Sequence, residues 1–265
     1  MAEPEAALAV AAPAAGVGRM IDLTEPWAPD AWPYPGHPSS SESMIQTMPV
    51  DRINSWLVAT SMHTGTHVDG PLHCAPRGSD MASIPLDRLV RPGYVVDLRE
   101  VVSPWYVLTP EDVEAALPGP VSPGDALMLR YGWQRFNKNG EERDADTFFN
   151  RHPGPGRALV EWMIEKDVAW IGTDSPSFEH PANISLRKHR PDLIEEMRET
   201  IGDAEPFDDS TWMMAHRLML AREQLHLDQG GGDLHEVPAE RVTLGIFPWK
   251  YRGGEASICR LVAFC

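Results

Sequence analysis

Eleven residues, His63-Thr64-Gly65-Thr66-His67-Val68-Asp69-Gly70-Pro71-Leu72-His73, constrain this 265-residue chain more than any other stretch. They carry three of its ten histidines and a carboxylate. Histidines at i and i+4, such as His63 and His67, can share a helix face. Here Thr and Gly lie between them and Gly-Pro follows, which opposes a helix interior. Read with a period of two, His63, His67 and Asp69 project to one side of an extended chain, and Thr64, Thr66 and Val68 to the other. Gly70 and Pro71 then bend the backbone, so that His73 swings back towards the same point. The pattern predicts a metal cradle on the end of a strand. Burying these groups together without a metal would need about 10 kcal/mol of compensating hydrogen bonding. Ligation is therefore a better account of the spacing than isolated core histidines.

The same residues resemble the H-x-G-T-H-x-D-x-P-x-H signature of the metal-dependent cyclase family. That family includes bacterial kynurenine formamidases, isatin hydrolase, trans-dienelactone hydrolase and some polyketide cyclases. The resemblance implies an α/β fold with a mixed, barrel-like sheet flanked by helices, of the swivelling β/β/α type. It also implies a homo-oligomer, a homodimer or homotetramer. Trp32-Pro33-Tyr34-Pro35-Gly36-His37 resembles the family's W-P-G-D segment, whose aromatic contacts substrate. Tyr34 falls on the aromatic position, His37 replaces the Asp, and Trp32 is the neighbouring candidate. The family further carries a His on a late helix and a Glu twelve residues on, completing a second metal position. These correspond to His216 and Asp228. Asp is one methylene shorter than Glu, and His226 shares a face with Asp228 in an extended piece, so His226 is an alternative ligand.

Composition bounds the partners. A formal net charge of −16 opposes nucleic acid or an anionic membrane as partner, since both need a basic footprint. No apolar run approaches the ~18 residues of a membrane span. Residues 1–18, rich in Ala and Pro, carry Glu3 and Glu5 where a secretory signal needs positive charge. They read as a disordered tail ahead of one domain over 19–265. Three cysteines without framework spacing suit a cytoplasmic setting. Cys74, next to His73, points away from it in an extended chain, and nothing nearby marks a thiolate site.

The rest alternates strands and helices. Met20–Leu23, Asn54–Met62, Gly93–Leu98, Ala126–Tyr131, Val168–Gly172, Val242–Phe247 and Ser257–Phe264 read as strands, with Asn54–Met62 leading into the motif. Thr109-Pro110-Glu111-Asp112 is a helix start, with a cap, Pro at the first helical position and an acid three residues after the cap. Further helices are expected from Pro155 to Lys166, over Asp192–Ile201, and from Thr211 to Glu223, the last capped by Asp209 or Ser210. Residues 134–154 and 178–206 read as excursions, the first irregular. Arg130 and Trp133 at one strand end are either pocket neighbours or plain strand-end residues. Asp174 and Ser175 at another strand end either support the site or cap the following turn.

Imidazole and carboxylate ligands suit a divalent ion, Zn or Mn, with one or two ions per chain. His63, His67 and Asp69 are assigned to the first metal. Asp69 would bridge to a second ion at His216 and Asp228. His73 is expected as general base and then acid, the role the resemblance also implies, with a fourth-ligand role as the competing reading. The expected activity is hydrolysis of a small amide, lactam or lactone by metal-activated hydroxide. The rival is an aromatic polyketide cyclase in which the same metal stabilises an enolate. A metal-binding protein without activity ranks last.

Overall fold

The computed structural model describes residues 18–202 and 207–265. The expected tail over 1–18 therefore lies, apart from Gly18, outside the described residues. The strands are β1 (Met20–Asp22), β2 (Ser41–Gln46), β3 (Ser55–Ala59), β4 (His67–Asp69), β5 (Val90–Asp97), β6 (Val107–Leu108), β7 (Ala126–Arg130), β8 (Gly154–Pro155), β9 (Trp170–Thr173), β10 (Leu225–Asp228), β11 (Val242–Pro248) and β12 (Ala256–Phe264).

Seven of them close a mixed barrel in the order β4-β12-β11-β5-β7-β9-β10 and back to β4. β5, β7, β9 and β10 are parallel neighbours, and the other contacts are antiparallel. β12 is long enough for β4 to take its first residues and β1 its last. Parallel neighbours need crossovers, and helices Pro110–Ala116, Arg157–Glu165 and Met214–Leu220 supply them on the barrel's outside. Val68, Met128, Leu227, Leu244 and Leu261 fill the barrel interior. Leu127, Leu129 and Ile171 face outward onto Leu159, Met163, Ala215 and Met219 of the crossover helices. Alternation thus turns His67 and Asp69 of β4, and His226 and Asp228 of β10, to the helix-covered outside.

Thr109 forms the expected capping box with Asp112. Several other elements differ from expectation. Ser55–Ala59 does not join the barrel but pairs with β2 in a separate hairpin, where Trp56, Leu57 and Val58 are exposed. The last expected helix starts only at Met214, because Met213 takes a left-handed conformation (φ 45°), and it ends at Leu220, ahead of a left-handed Glu223 (φ 62°). Asp208, not Asp209 or Ser210, caps the short 3-10 turn before it. Residues 134–154 include a helix, Ala145–Asn150, capped by Asp144, whose Phe148 is core. Arg130 pairs with Asp97, and Trp133 is buried with its indole N–H donating to Phe148 O. Asp174 accepts from Tyr131 N (2.8 Å) and Trp133 N (3.1 Å), so it caps the turn after β7 and not the turn that follows its own strand.

The excursion after β9 is anchored by buried histidines. His180 Nε2–H donates to Trp105 O at 2.9 Å, and its Nδ1 accepts from Ala182 N at 3.2 Å. Burial holds His180 neutral, with its pKa down to about 4, and His152 down to about 3. Both sit below the unfolded histidine value, so their contribution to stability is present above about pH 6.5 and lost as pH falls towards 4. A tenfold change in a group's proton affinity corresponds to about 1.4 kcal/mol. Chemical denaturation at pH 7.5 and 4.5 should therefore show a loss at the lower pH. A His180→Gln variant, weaker at pH 7.5, should show a smaller loss between the two.

Candidate metal centre

The eleven-residue motif folds around two glycines. Gly65 has φ +70°, and a Cβ there would lie 3.1 Å from Trp27 Cδ1, so a side chain in the turn into β4 would be strained and would press on Trp27. β4 is only His67–Asp69, with Val68 plugged into the barrel. His67 and Asp69 thus share a face as the period of two requires, whereas His63 arrives from the turn before the strand. After β4, Gly70 N donates to Glu255 O at 2.8 Å, and a Cβ on Gly70 would meet Met81 Sδ at 2.8 Å. The close approach docks the start of β12 against the motif. Pro71–His73 then winds into a 3-10 turn that returns His73 to the cluster.

Every ligand-type side chain of the motif converges on Asp69. Its Oδ1 lies 3.1 Å from His63 Nδ1 and 3.6 Å from His67 Nε2. Its Oδ2 lies 3.9 Å from His73 Nε2 and 3.6 Å from His216 Nε2, brought in by helix Met214–Leu220. Asp228, cross-strand from His67 on β10, reaches His67 Nε2 with Oδ2 at 3.9 Å. The shorter Asp therefore still faces the cluster, its other oxygen accepting from Phe178 N at 2.9 Å. Two sets of three have ligand atoms within 4.8 Å of one another: His63, Asp69 and His73, and His67, Asp69 and Asp228. Asp69 belongs to both. This partition is not the one read from the sequence, which grouped His63 with His67 and paired Asp228 with His216.

The hydrogen bonds assign the tautomers. His67 Nδ1 faces Gly65 O at 2.8 Å, and a carbonyl only accepts, so Nδ1 carries the proton. Burial holds this ring neutral, its pKa down to about 4. Its bare Nε2 lone pair then points at two carboxylates. Asp69 Oδ1 is buried and accepts no hydrogen bond among the described residues. These three ligand-type atoms could hold a cation, which would take the place of the proton that burial favours on Asp228. Asp228 is pushed well above the carboxylate range by burial and by the charge of Asp69. Burial would raise Asp69 too, but His63 and His73 beside it hold it well below. Nitrogen and oxygen donors of this kind fit a divalent ion.

Two carboxylates complete the shell that sequence reasoning missed. Glu255 Oε2 accepts from both His63 Nε2 (3.0 Å) and His73 Nδ1 (3.1 Å), and these two rings draw its pKa down to about 2 despite burial. Glu179, fully buried, accepts from His216 Nδ1 at 3.1 Å and from Asn183 Nδ2 at 2.9 Å. Carboxylates behind ligating histidines fix ring orientation. Glu255 is 192 residues from His63 in sequence, and no local signal marks it. His226 packs on His216 and Phe178 with both ring nitrogens unpartnered among the described residues, outside both ligand sets. Cys74 is half-buried, and burial raises its thiol pKa, which opposes a nucleophile.

The cluster floors a cleft of about 180 Å3 that Tyr34, His37, Ile184, Lys188 and His189 also line. Tyr34 thus reaches the site. Trp32 is not among the lining residues and packs on Phe148 and Phe149, its ring centroid 6.3 and 6.1 Å from theirs.

Comparison with known proteins agrees with this geometry. Residues 21–180 match the Cyclase family, described as "Putative cyclase". A kynurenine formamidase of Erythrobacter litoralis is 28% identical over 215 residues, covering 79% of this chain and 76% of that protein. Among solved structures, an isatin hydrolase bound to the product analogue thioisatinate superposes with TM-score 0.75 at 20% identity, covering 94% of this chain and 93% of the other. Isatin hydrolase A from Labrenzia aggregata, bound to benzyl benzoate, gives TM-score 0.72 at 21% identity, covering 92% and 93%. With a closed mixed barrel, a fully matched motif and more than half its length aligned, the chain belongs to the Cyclase family.

Proposed function

We propose that this protein is a metal-dependent hydrolase of a small amide, lactam or lactone, of aryl-formamide type. The observation that carries the reading is the bare Nε2 of His67 converging with Asp69 and Asp228 at the floor of a cleft. A divalent ion held there, Zn or Mn, would polarise a carbonyl and acidify a water. The kynurenine formamidase relative and the isatin hydrolase structures support amide and lactam bonds as the target. The cleft of about 180 Å3 is smaller than the ~300 Å3 at which drug-sized pockets begin. That favours a small substrate over the polyketide of the rival cyclase reading.

The chain's own groups divide the remaining tasks. His67, Asp69, Asp228 and His63 Nδ1 would hold the ion or ions, with His216 completing a second position beside Asp69. His73 would act as the base. Glu255 can only accept from its Nδ1, so the Nε2 lone pair is free and faces Asp69 across the cleft. That nitrogen would take a proton from the attacking water and return it to the leaving nitrogen or oxygen. Glu255 keeps the ring in this tautomer.

The unpaired state of all three cysteines is consistent with the proposed cytoplasmic setting. A homodimer or homotetramer is proposed on the hairpin β2–β3, which presents Ile45 (62% exposed), Leu57 (60%) and Trp56 (50%) to solvent.

His73→Ala should lower kcat on an aryl formamide or isatin by ~10²–10⁴-fold with metal content unchanged. If metal is lost instead, and reloading restores turnover, His73 is a ligand and not the base. Asp69→Asn, which removes the shared carboxylate, should abolish stoichiometric metal binding by elemental analysis. Full metal retention there would contradict the proposed ligand set. Ring closure of a polyketide-like diketone without any amide hydrolysis would favour the cyclase.

A further inference from the structure

The aromatic that reaches the cleft carries a hydroxyl with nothing to bind. Tyr34 is held rigidly. Its N–H donates to His63 O at 3.1 Å, its carbonyl accepts from His37 N at 3.0 Å, and Pro33 bridges Thr64. Its ring meets Phe149 edge-on at 6.3 Å and His37 at 6.2 Å, and Phe149 is itself wedged against Phe148 and Trp32. The ring direction is therefore set by packing and not by the hydroxyl. That hydroxyl oxygen is buried and has no hydrogen-bond partner among the described residues. A buried tyrosine ordinarily finds one, and leaving it without costs about 1–3 kcal/mol.

Ordinary chemistry makes this hydroxyl a donor. A phenol keeps its proton at neutral pH, so the group has an O–H to give, and Asp228, Glu179 and Asp69 lie close enough for their charges to reach it. The oxygen is an unspent O–H beside the ligand cluster, on a ring that lines the same cleft. What it lacks is an acceptor, and the group that enters this cleft under the reading above is a carbonyl.

We propose that the Tyr34 hydroxyl donates a hydrogen bond to the carbonyl oxygen of the bound amide or lactone, and holds that oxygen more tightly once attack makes it tetrahedral and anionic. The inference rests on the hydrolase reading. No proton is transferred: the O–H stays on tyrosine, and the new charge on oxygen is stabilised by a fixed donor. Because the ring is positioned before substrate arrives, the donor needs no reorganisation during the reaction. A phenylalanine at this position would preserve the packing against Phe149 and His37 and remove only the donor.

Tyr34→Phe is the test, in the metal-loaded protein. Single lost donors of this kind lower kcat ~10²–10³-fold. A loss of at least about 10-fold in kcat is expected, with KM within about 3-fold and a thermal midpoint no lower than that of the wild type, since the variant loses an unpartnered buried hydroxyl. Calorimetry with an aryl phosphonamidate, whose tetrahedral oxyanion stands in for the addition state, should show at least about 10-fold weaker binding in the variant, while binding of the matching planar amide weakens less than about 3-fold. Equal kcat, or equal weakening of both ligands, would overturn the proposal. If the wild-type protein turns over none of the amides, the hydrolase reading fails, and the calorimetric comparison still decides whether Tyr34 discriminates an oxyanion.

Discussion

One buried carboxylate organises this molecule. Asp69 is 2% exposed and stands within 4 Å of imidazole nitrogens from four histidines. A lone carboxylate at that depth would cost several kcal/mol if left uncompensated. Here the compensation is built from the whole fold. β4 supplies His67, its flanking turns supply His63 and His73, and a crossover helix supplies His216. The barrel closure at β10 brings in Asp228, whose pKa burial and the charge of Asp69 push well up, so that a cation entering the cluster would displace a proton there. These groups could serve as the ligand shell of a divalent ion.

The barrel exists in a form that serves this. β4 is three residues long, too short to be stable alone, and is clamped between β10 and β12. Val68 is its single anchor in the interior. Both neighbours carry chemistry: Asp228 on β10, and Glu255 immediately before β12. Glu179 and Glu255 then back His216 and the His63–His73 pair respectively, so each side of the cluster has its own carboxylate. The site is over-determined by secondary structure on both sides and by carboxylates behind it, the condition for ligands held in fixed geometry.

What could be read from the chain followed distance along it. The alternation of His67, Val68 and Asp69 is local, and it appears as an outward-inward-outward strand. The Thr109 capping box is also local and forms with Asp112. Ser55–Ala59 has the composition of a core strand, but its partner is the hairpin strand β2, and composition cannot say which edge a strand joins. The late start of the helix bearing His216 follows from a left-handed Met213, and its early stop is followed by a left-handed Glu223; neither residue type gives warning. Glu255 and Glu179 were invisible because each meets its histidine across tertiary contacts of 192 and 37 residues. Tyr34 and Trp32 could not be separated by sequence, since which of two neighbouring aromatics enters a cleft depends on what the other packs against. Phe148 and Phe149, over a hundred residues later, hold Trp32 away from the cleft.

If the ligand-type groups converging on Asp69 hold a cation, and are not merely core polar residues, the metal-free chain must take one up. The decisive measurement strips the wild-type chain with chelator and titrates zinc and manganese separately, following heat and thermal midpoint together. Saturable binding of at least one ion per chain is expected for one of the metals, with a midpoint that rises on loading, because an ion that binds the folded chain alone stabilises it. A chelated protein as stable as the loaded one, with no saturable heat for either metal, would contradict a cation site at Asp69.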